Sequence, residues 1–283
     1  MATYTQFSNN DTVNSIDRVF ASAWSGNTND LLTAHFSSST QYITTSPTSS
    51  GAFYMEIYDK NPTDATAAVQ YSIAFGSQTG KGGKDFSDDI GAANISPTKA
   101  IYSQYRNLVF GGDETQNFSF DGHTPDGIYI INVNRARYKN ALRLGNLNIT
   151  LTGSIAAAHH GEPNLTGSVS ASQIDNLHLT DDSVTTSGSA NAIRAGVGRE
   201  FNIVSGSNGI RLGSSNTFIT DSGSYGYIYP DAGFIILNAD ALDATGSGGI
   251  CLGTNDINDT NGKNPSKLQD ALIGGGSFIL DSQ

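Results

Sequence analysis

In Ala68-Val69-Gln70-Tyr71-Ser72-Ile73-Ala74-Phe75 the large apolar residues recur at every second position. On an extended chain, side chains two apart share a face, whereas a helix would scatter them around its axis. The stretch therefore reads as a half-buried strand. Shorter pieces of the same pattern return along the chain, separated by clusters of Gly, Ser, Asn and Asp. Composition points the same way. Of 283 residues, 32 are Gly, and charged residues make up only 14%. Ser, Thr and Asn fill the difference, and all are poor in helix interiors. The 12 Tyr and 13 Phe are enough to anchor a core. The fold expected is mainly β: an antiparallel β-sandwich or barrel with one or two short helices and an extended N-terminal arm. A β-solenoid is the rival, but no fixed repeat period supports it.

Three stretches follow from the pattern. Residues 1–50 read as an arm with a short helix. Asn10, Asp11 or Thr12 would cap it, and Val13, Ile16, Val19, Phe20 and Trp24 fall near helical spacing. Residues 51–153 read as a β-rich domain with one helix. Phe53 to Tyr58 partners the 68–75 strand across an Asp59–Asp64 turn, and Gly80 begins a loop that runs to Asn94. Ser96-Pro97 is a helix start, Ile101, Tyr105 and Leu108 give the apolar stripe, and Gly111-Gly112 stops the helix. Strands are expected at 117–120, 127–138 and 147–151. In the second, Tyr129, Ile131, Val133, Arg135 and Arg137 would share one face, opposite Ile128 and Ile130. Residues 154–283 read as a Gly/Ser/Asn-rich β domain with strands near 177–179, 201–204, 210–212 and 217–219. Its sharpest hairpin is Tyr225 to Leu237, turning through Pro230-Asp231-Ala232-Gly233. A helical turn is expected at 238–242, a short helix at 265–272 and a last strand at 277–280.

Charge narrows function. The net charge is −11 with 15 Lys and Arg, grouped only at Arg135, Arg137, Lys139 and Arg143. Phosphate-directed binding of nucleic acid needs many more cations, so neither nucleic acid nor an anionic membrane is an expected partner. The single Cys251 excludes an intrachain disulfide and a cysteine zinc finger. Met1 to Phe7 has neither a basic region nor an apolar core, so no signal peptide is expected. Apolar runs such as Ile128–Ile131 fall far short of the roughly 20 residues that span a bilayer.

No motif carries a defensible catalytic reading. Gly76-Ser77-Gln78-Thr79-Gly80-Lys81 superficially follows a phosphate loop, but it has three residues between its glycines and no Ser or Thr after the Lys. His159-His160-Gly161-Glu162 offers metal-ligand types, yet neighbouring side chains on a strand diverge. His35, His123 and His178 stand alone. Asn255 to Gly262 has a calcium-loop composition, but placing Gly262 at the sixth position puts Ile257 at the first. Asn-x-Ser/Thr triplets such as Asn148-Ile149-Thr150 are expected by chance. Arg135 and Arg137 read either as a face with local ion pairs or as a contact stripe for an acidic neighbour. No catalytic residue, no cofactor site and no metal site is expected, and neither is an enzyme.

Several segments together resemble a known family. These are Phe53 to Pro62, Val69 to Gly76, Ser96-Pro97-Thr98-Lys99 leading into Tyr102–Leu108, and Tyr129 to Lys139 with Arg135-Ala136-Arg137-Tyr138-Lys139. The segment Gly226 to Leu242 is similar too. The resemblance is to virion structural proteins of contractile-tailed phages of marine cyanobacteria and related hosts. Residues 1–50 and 156–190 lie outside it. It implies a non-enzymatic part of the tail, baseplate or neck, assembled in the host cytoplasm and carried in the virion. Its partners would be other virion proteins and further copies of itself, in a homo-oligomer or hetero-complex of multiples of three or six. Extended arms that dock on neighbours and wet polar contacts suit such assemblies. The alternatives are a receptor- or glycan-binding tail-fibre adhesin stacking sugars on Tyr225, Tyr227 and Tyr229, or a capsid decoration protein. A polysaccharide hydrolase comes third, and would need a carboxylate pair in a cleft.

Overall fold

The computed structural model describes residues 54–59, 64–82, 97–138, 140–151, 177–211, 219–220, 223–243, 249–250, 252, 264–273 and 277–280. The arm read at 1–50 lies outside them. The alternation that opens the sequence becomes a nine-residue strand, β2 (Val69–Ser77), paired with β1 (Tyr54–Tyr58). Along the chain follow β3 (Gly127–Val133), β4 (Leu147–Leu151), β5 (Leu177–Asp181), β6 (Ala192–Arg194), β7 (Gly198–Ser207) and β8 (Ile210–Arg211). The ribbon β9 (Ile219–Thr220) and β10 (Gly223–Ser224) leads to β11 (Gly226–Tyr229), β12 (Phe234–Asn238) and β13 (Ser277–Leu280). Three helices accompany them: α1 (Pro97–Phe110), α2 (Ala239–Asp243) and α3 (Asn264–Ile273).

The protein is mainly β. All strands but β9 and β10 join one eleven-stranded sheet in the order β1-β2-β3-β12-β11-β7-β5-β4-β13, with β6 and β8 both on β7. Every pairing is antiparallel, and the sheet curls into a half-barrel. Strands from 51–153 and from 154–283 interleave within it, because β12 and β11 sit between β3 and β7.

Alternation sorts the side chains onto two faces. On β3, Tyr129, Ile131 and Val133 enter the inner core, while Ile128 and Ile130 point outward. On β12, Ile235 and Leu237 point in, and Phe234 and Ile236 point out. The inner core is lined across the sheet by a continuous row of directly paired residues, Met55–Ile73–Ile131–Ile235–Ile228–Phe201, running over β1, β2, β3, β12, β11 and β7. All six are buried. The outer face is covered by α1 and by the 118–120 segment, whose rings meet edge-on or stacked: Tyr102 on Phe118 at 5.6 Å, and Phe120 on Tyr227 at 5.0 Å.

Local expectations meet three adjustments. The strand expected at 127–138 stops at Val133. Asn134 then caps a 3-10 turn over Arg135–Arg137 by accepting from the Ala136 N–H, so the two arginines do not extend the β3 face. The strand expected at 117–120 is a single bridge between Phe120 and His123. The buried stripe of α1 runs through Thr98, Tyr102 and Val109, with Ile101 and Tyr105 half-buried and Leu108 exposed. Tyr102 takes the inward position because its hydroxyl accepts the Phe118 N–H at 3.2 Å, which couples the helix to the segment beneath it. The 225–237 hairpin forms as expected. Gly233 adopts φ 80° at its turn, and a Cβ there would collide with the Tyr138 hydroxyl, which donates to Ala232 O at 3.0 Å.

Truncating the central member of the inner row tests this arrangement. Ile131→Ala should lower stability by about 2–5 kcal/mol, as for other buried large-to-small changes. Ile193→Ala, at an exposed site on β6, should stay within about 0.5 kcal/mol of wild type. Urea unfolding followed by circular dichroism compares them, and equal losses would contradict the placement of the core.

Candidate functional site

The loop that imitates a phosphate site is filled by the chain itself. The Asp126 carboxylate accepts from Ser77 Oγ at 2.9 Å, Thr79 Oγ1 at 3.0 Å and the Thr79 N–H at 3.0 Å. Ser77 Oγ accepts in turn from the Gly80 and Lys81 N–H groups, each at 3.0 Å. The amides that a phosphate would require are engaged, and the anion in the loop is Asp126. The carbonyls face outward to other elements: Thr98 Oγ1 donates to Lys81 O and Asn264 Nδ2 to Gly82 O, both at 2.9 Å. Residues 77–82 therefore tie the first turns of α1 and α3 to the end of β2.

Arg135 and Arg137 of the basic cluster are engaged inside the chain, and Lys139 lies outside the described residues. Arg137 Nη2 lies 3.8 Å from the Asp59 carboxylate. Arg135 donates to Tyr138 O, and its guanidinium stacks 4.6 Å over the same ring. The tyrosines of the hairpin are mostly core. Tyr225 is packed on the inner face and Tyr229 on the outer, both fully buried. Tyr227 is half-buried, and its hydroxyl donates to Ser119 O at 2.6 Å. A sugar-stacking platform needs exposed ring faces, and these three rings do not offer one. His123 Nε2 sits 2.8 Å from Asp240, and His178 Nδ1 lies 3.1 Å from Thr150 Oγ1. Residues 159–162 and 255–262 lie outside the described residues. Among the described residues, no three His, Cys, Asp or Glu side chains gather as metal ligands.

Sequence reasoning missed the tightest polar cluster. Glu200, on β7, is fully buried beneath the β6–β7 hairpin. Arg194 grips it with Nε at 2.8 Å and Nη2 at 3.2 Å, Asn191 Nδ2 donates at 2.8 Å and the Tyr229 hydroxyl donates at 2.9 Å. Both carboxylate oxygens are thus doubly occupied, which is how a buried charge is tolerated. Arg194 also lies 5.0 Å over the Phe110 ring, joining the hairpin to the end of α1. Burial, with Glu200 alongside, holds the Tyr229 hydroxyl well above the ordinary tyrosine range. The one legible signal was an acid directly before Phe201, at the start of the expected 201–204 strand, with an arginine six residues upstream. A second cluster repeats the logic. Arg199 grips Asp231 with Nε at 3.1 Å and Nη2 at 2.9 Å, fixing the 230–233 turn against β7.

Two adjacent buried acids complete the set. Asp181 accepts the Gly145 N–H through both oxygens, at 2.9 and 3.0 Å, and also accepts from Ser183 Oγ. Asp182 accepts from the Asn202 N–H at 3.1 Å and from Asn202 Nδ2 at 2.7 Å. Desolvation is the main cause raising the Asp182 carboxyl above its usual range, with the Asp181 charge adding to it. The acids Asp126, Asp181, Asp182, Glu200 and Asp231 all anchor backbone or neighbouring strands. Exposed apolar side chains mark the loops instead: Val184 packs on Gly209 beside Ile210, and both Val184 and Ile210 stand open to solvent.

Comparisons with protein-family models, with curated proteins and with solved structures find no match to this chain.

Two measurements test the site's chemistry. Glu200→Ala should cost about 2–3 kcal/mol, below most of the range of about 3–5 kcal/mol for breaking a fully buried pair, because Arg194 is one-third exposed and water partly replaces its partner. Denaturant titration reads it. The tyrosines give the pH dependence. Burial pushes Tyr225 and Tyr227 from 10.0 to about 12, so their contribution to stability is complete below pH 10 and is lost as pH rises towards 12. Tyrosinate absorbance should appear together with loss of ellipticity in that window. Ionisation of all the tyrosines near pH 10 with the fold intact would contradict it.

Proposed function

We propose that the chain is a virion structural protein of a contractile-tailed phage, working without catalysis as a part of the tail, baseplate or neck. The observation that carries this reading is spatial. The segments on which the family resemblance rests are far apart in sequence, yet they supply β1, β2, β3, β12 and β11, which are consecutive neighbours in the sheet. They also supply most of α1, packed on β2, and most of α2, packed on β3 and β12. A resemblance of scattered, unrelated fragments would have no reason to assemble into one contiguous block. The use of the acidic side chains supports the same reading, because they fix turns and hairpins and so suit a rigid building block.

As a structural part, the protein would act through its surfaces. Its partners would be copies of itself and other virion proteins, and neither nucleic acid nor a membrane is among them. No helix of the described residues is long and apolar enough to cross a membrane. The burial of Tyr225 and Tyr229 weighs against the adhesin alternative.

Cryo-electron microscopy of the intact particle tests the proposal. Copies ringing the tail, baseplate or neck in multiples of three or six are expected. Copies confined to exposed fibre tips, or absent from the particle, would overturn it.

A further inference from the structure

The half-barrel does not close on itself. Among the described residues, β1 and β13 end the sheet without pairing to one another. α3 lies across the opening and touches β1 and β2 at one margin and β4 and β13 at the other. A helix enclosed in this way is expected to be apolar all round. α3 is not. Leu268, Ala271 and Leu272 enter the inner core, but Asn264, Lys267 and Gln269 are buried too, at 0%, 4% and 1% exposure.

The polar groups are incompletely matched. Asn264 Nδ2 donates to Gly82 O at 2.9 Å, while its Oδ1 accepts no hydrogen bond. The Gln269 amide has no hydrogen-bond partner at either Oε1 or Nε2. Groups of this kind surrender water on docking without replacement and recover it on leaving. Among the described side chains of α3, three enter the inner core and one of these is only an alanine. The strands differ in kind. β12 carries five buried residues and is paired on both sides, so it leaves only when the sheet unfolds.

We propose that α3 is a releasable strap. It undocks as a unit while the sheet stays folded, and its docking holds the two margins together and so sets the curl of the half-barrel. With α3 out, the inner face beside β1 and β13 is open to solvent. The reasoning rests on the helix's own packing and holds whatever assembly the chain serves.

Native-state hydrogen exchange of the full chain, read by mass spectrometry, tests this. The α3 amides should exchange at least about tenfold faster than those of β3 and β12. Gln269→Leu keeps the volume and removes the unpaired amide, so it should slow α3 exchange by about tenfold. Equal exchange of α3 and the central strands in the wild-type chain would overturn the proposal, because α3 would then open only with global unfolding. Faster α3 exchange in Gln269→Leu, or a Gln269→Leu chain that cannot fold, would overturn it too, since the amide would then be needed where it is.

Discussion

The row Met55–Ile73–Ile131–Ile235–Ile228–Phe201 is the constraint on which the rest of the molecule depends. Directly opposed residues on antiparallel strands bring their Cβ atoms to about 4.5–5.5 Å, so each member touches the next across the sheet. Shifting any strand by one residue would send its member of the row to the opposite face, along with every other side chain on that strand. Six strands are thereby locked in register by one line of side chains. The strand order is far from the chain order, with β12 between β3 and β11, so this line is also what joins distant parts of the sequence. β-Branched isoleucine holds four of the six positions, and its restricted rotamers suit a pleated surface with neighbours on both sides.

With the register fixed, the acidic side chains serve a second layer of order. A half-barrel ends in turns and hairpins whose backbone N–H groups have no sheet partner, and such groups need acceptors when they are buried. Asp126, Asp181, Asp182 and Asp231 supply them, each reaching a backbone N–H outside its own turn or strand. Glu200 does the same work between side chains, binding Arg194 and Asn191 of the hairpin to Tyr229 of the core. This explains why a chain with a net charge of −11 can bury several carboxylates: they are matched mainly to amides and hydroxyls, and only Glu200 and Asp231 hold an arginine in a two-pronged grip.

How much of this was legible in the sequence depends on whether the signal is local. The period-two alternation located β2 and β4, and turn chemistry located the 230–233 hairpin with β11 and β12, because both depend on residues within a few positions of each other. The helix starting at Pro97 and the helical turn of α2 were legible for the same reason, while Ser96, read as the cap of α1, lies outside the described residues. The end of β3 was misread because Asn134-Arg135-Ala136-Arg137 continues the alternation by composition. What stops the strand is the Asn134 side chain accepting the Ala136 N–H, a competing local bond. The exposure of Leu108 and the burial of Tyr102 depend on Phe118, and the Glu200 cluster on Tyr229. These partners are set by the fold, so periodicity alone could not reveal them.

The two levels differ in how they respond to perturbation, and that difference bears on function. Loss of one member of the inner row leaves a cavity in contact with both neighbouring strands, so the damage spreads through the sheet. Loss of an acid anchor frees one loop and leaves the register intact. The segments that carry the resemblance build the block β1-β2-β3-β12-β11, which holds five of the six strands of the row; β7 supplies the sixth. The Gly/Ser/Asn-rich remainder carries β5, β6, β7 and β8 with most of the anchored loops. For the structural role proposed above, such a division would provide an invariant frame beside separately anchored loops. The widely shared register fixes the frame, while individually anchored loops can be altered one at a time without reopening the sheet.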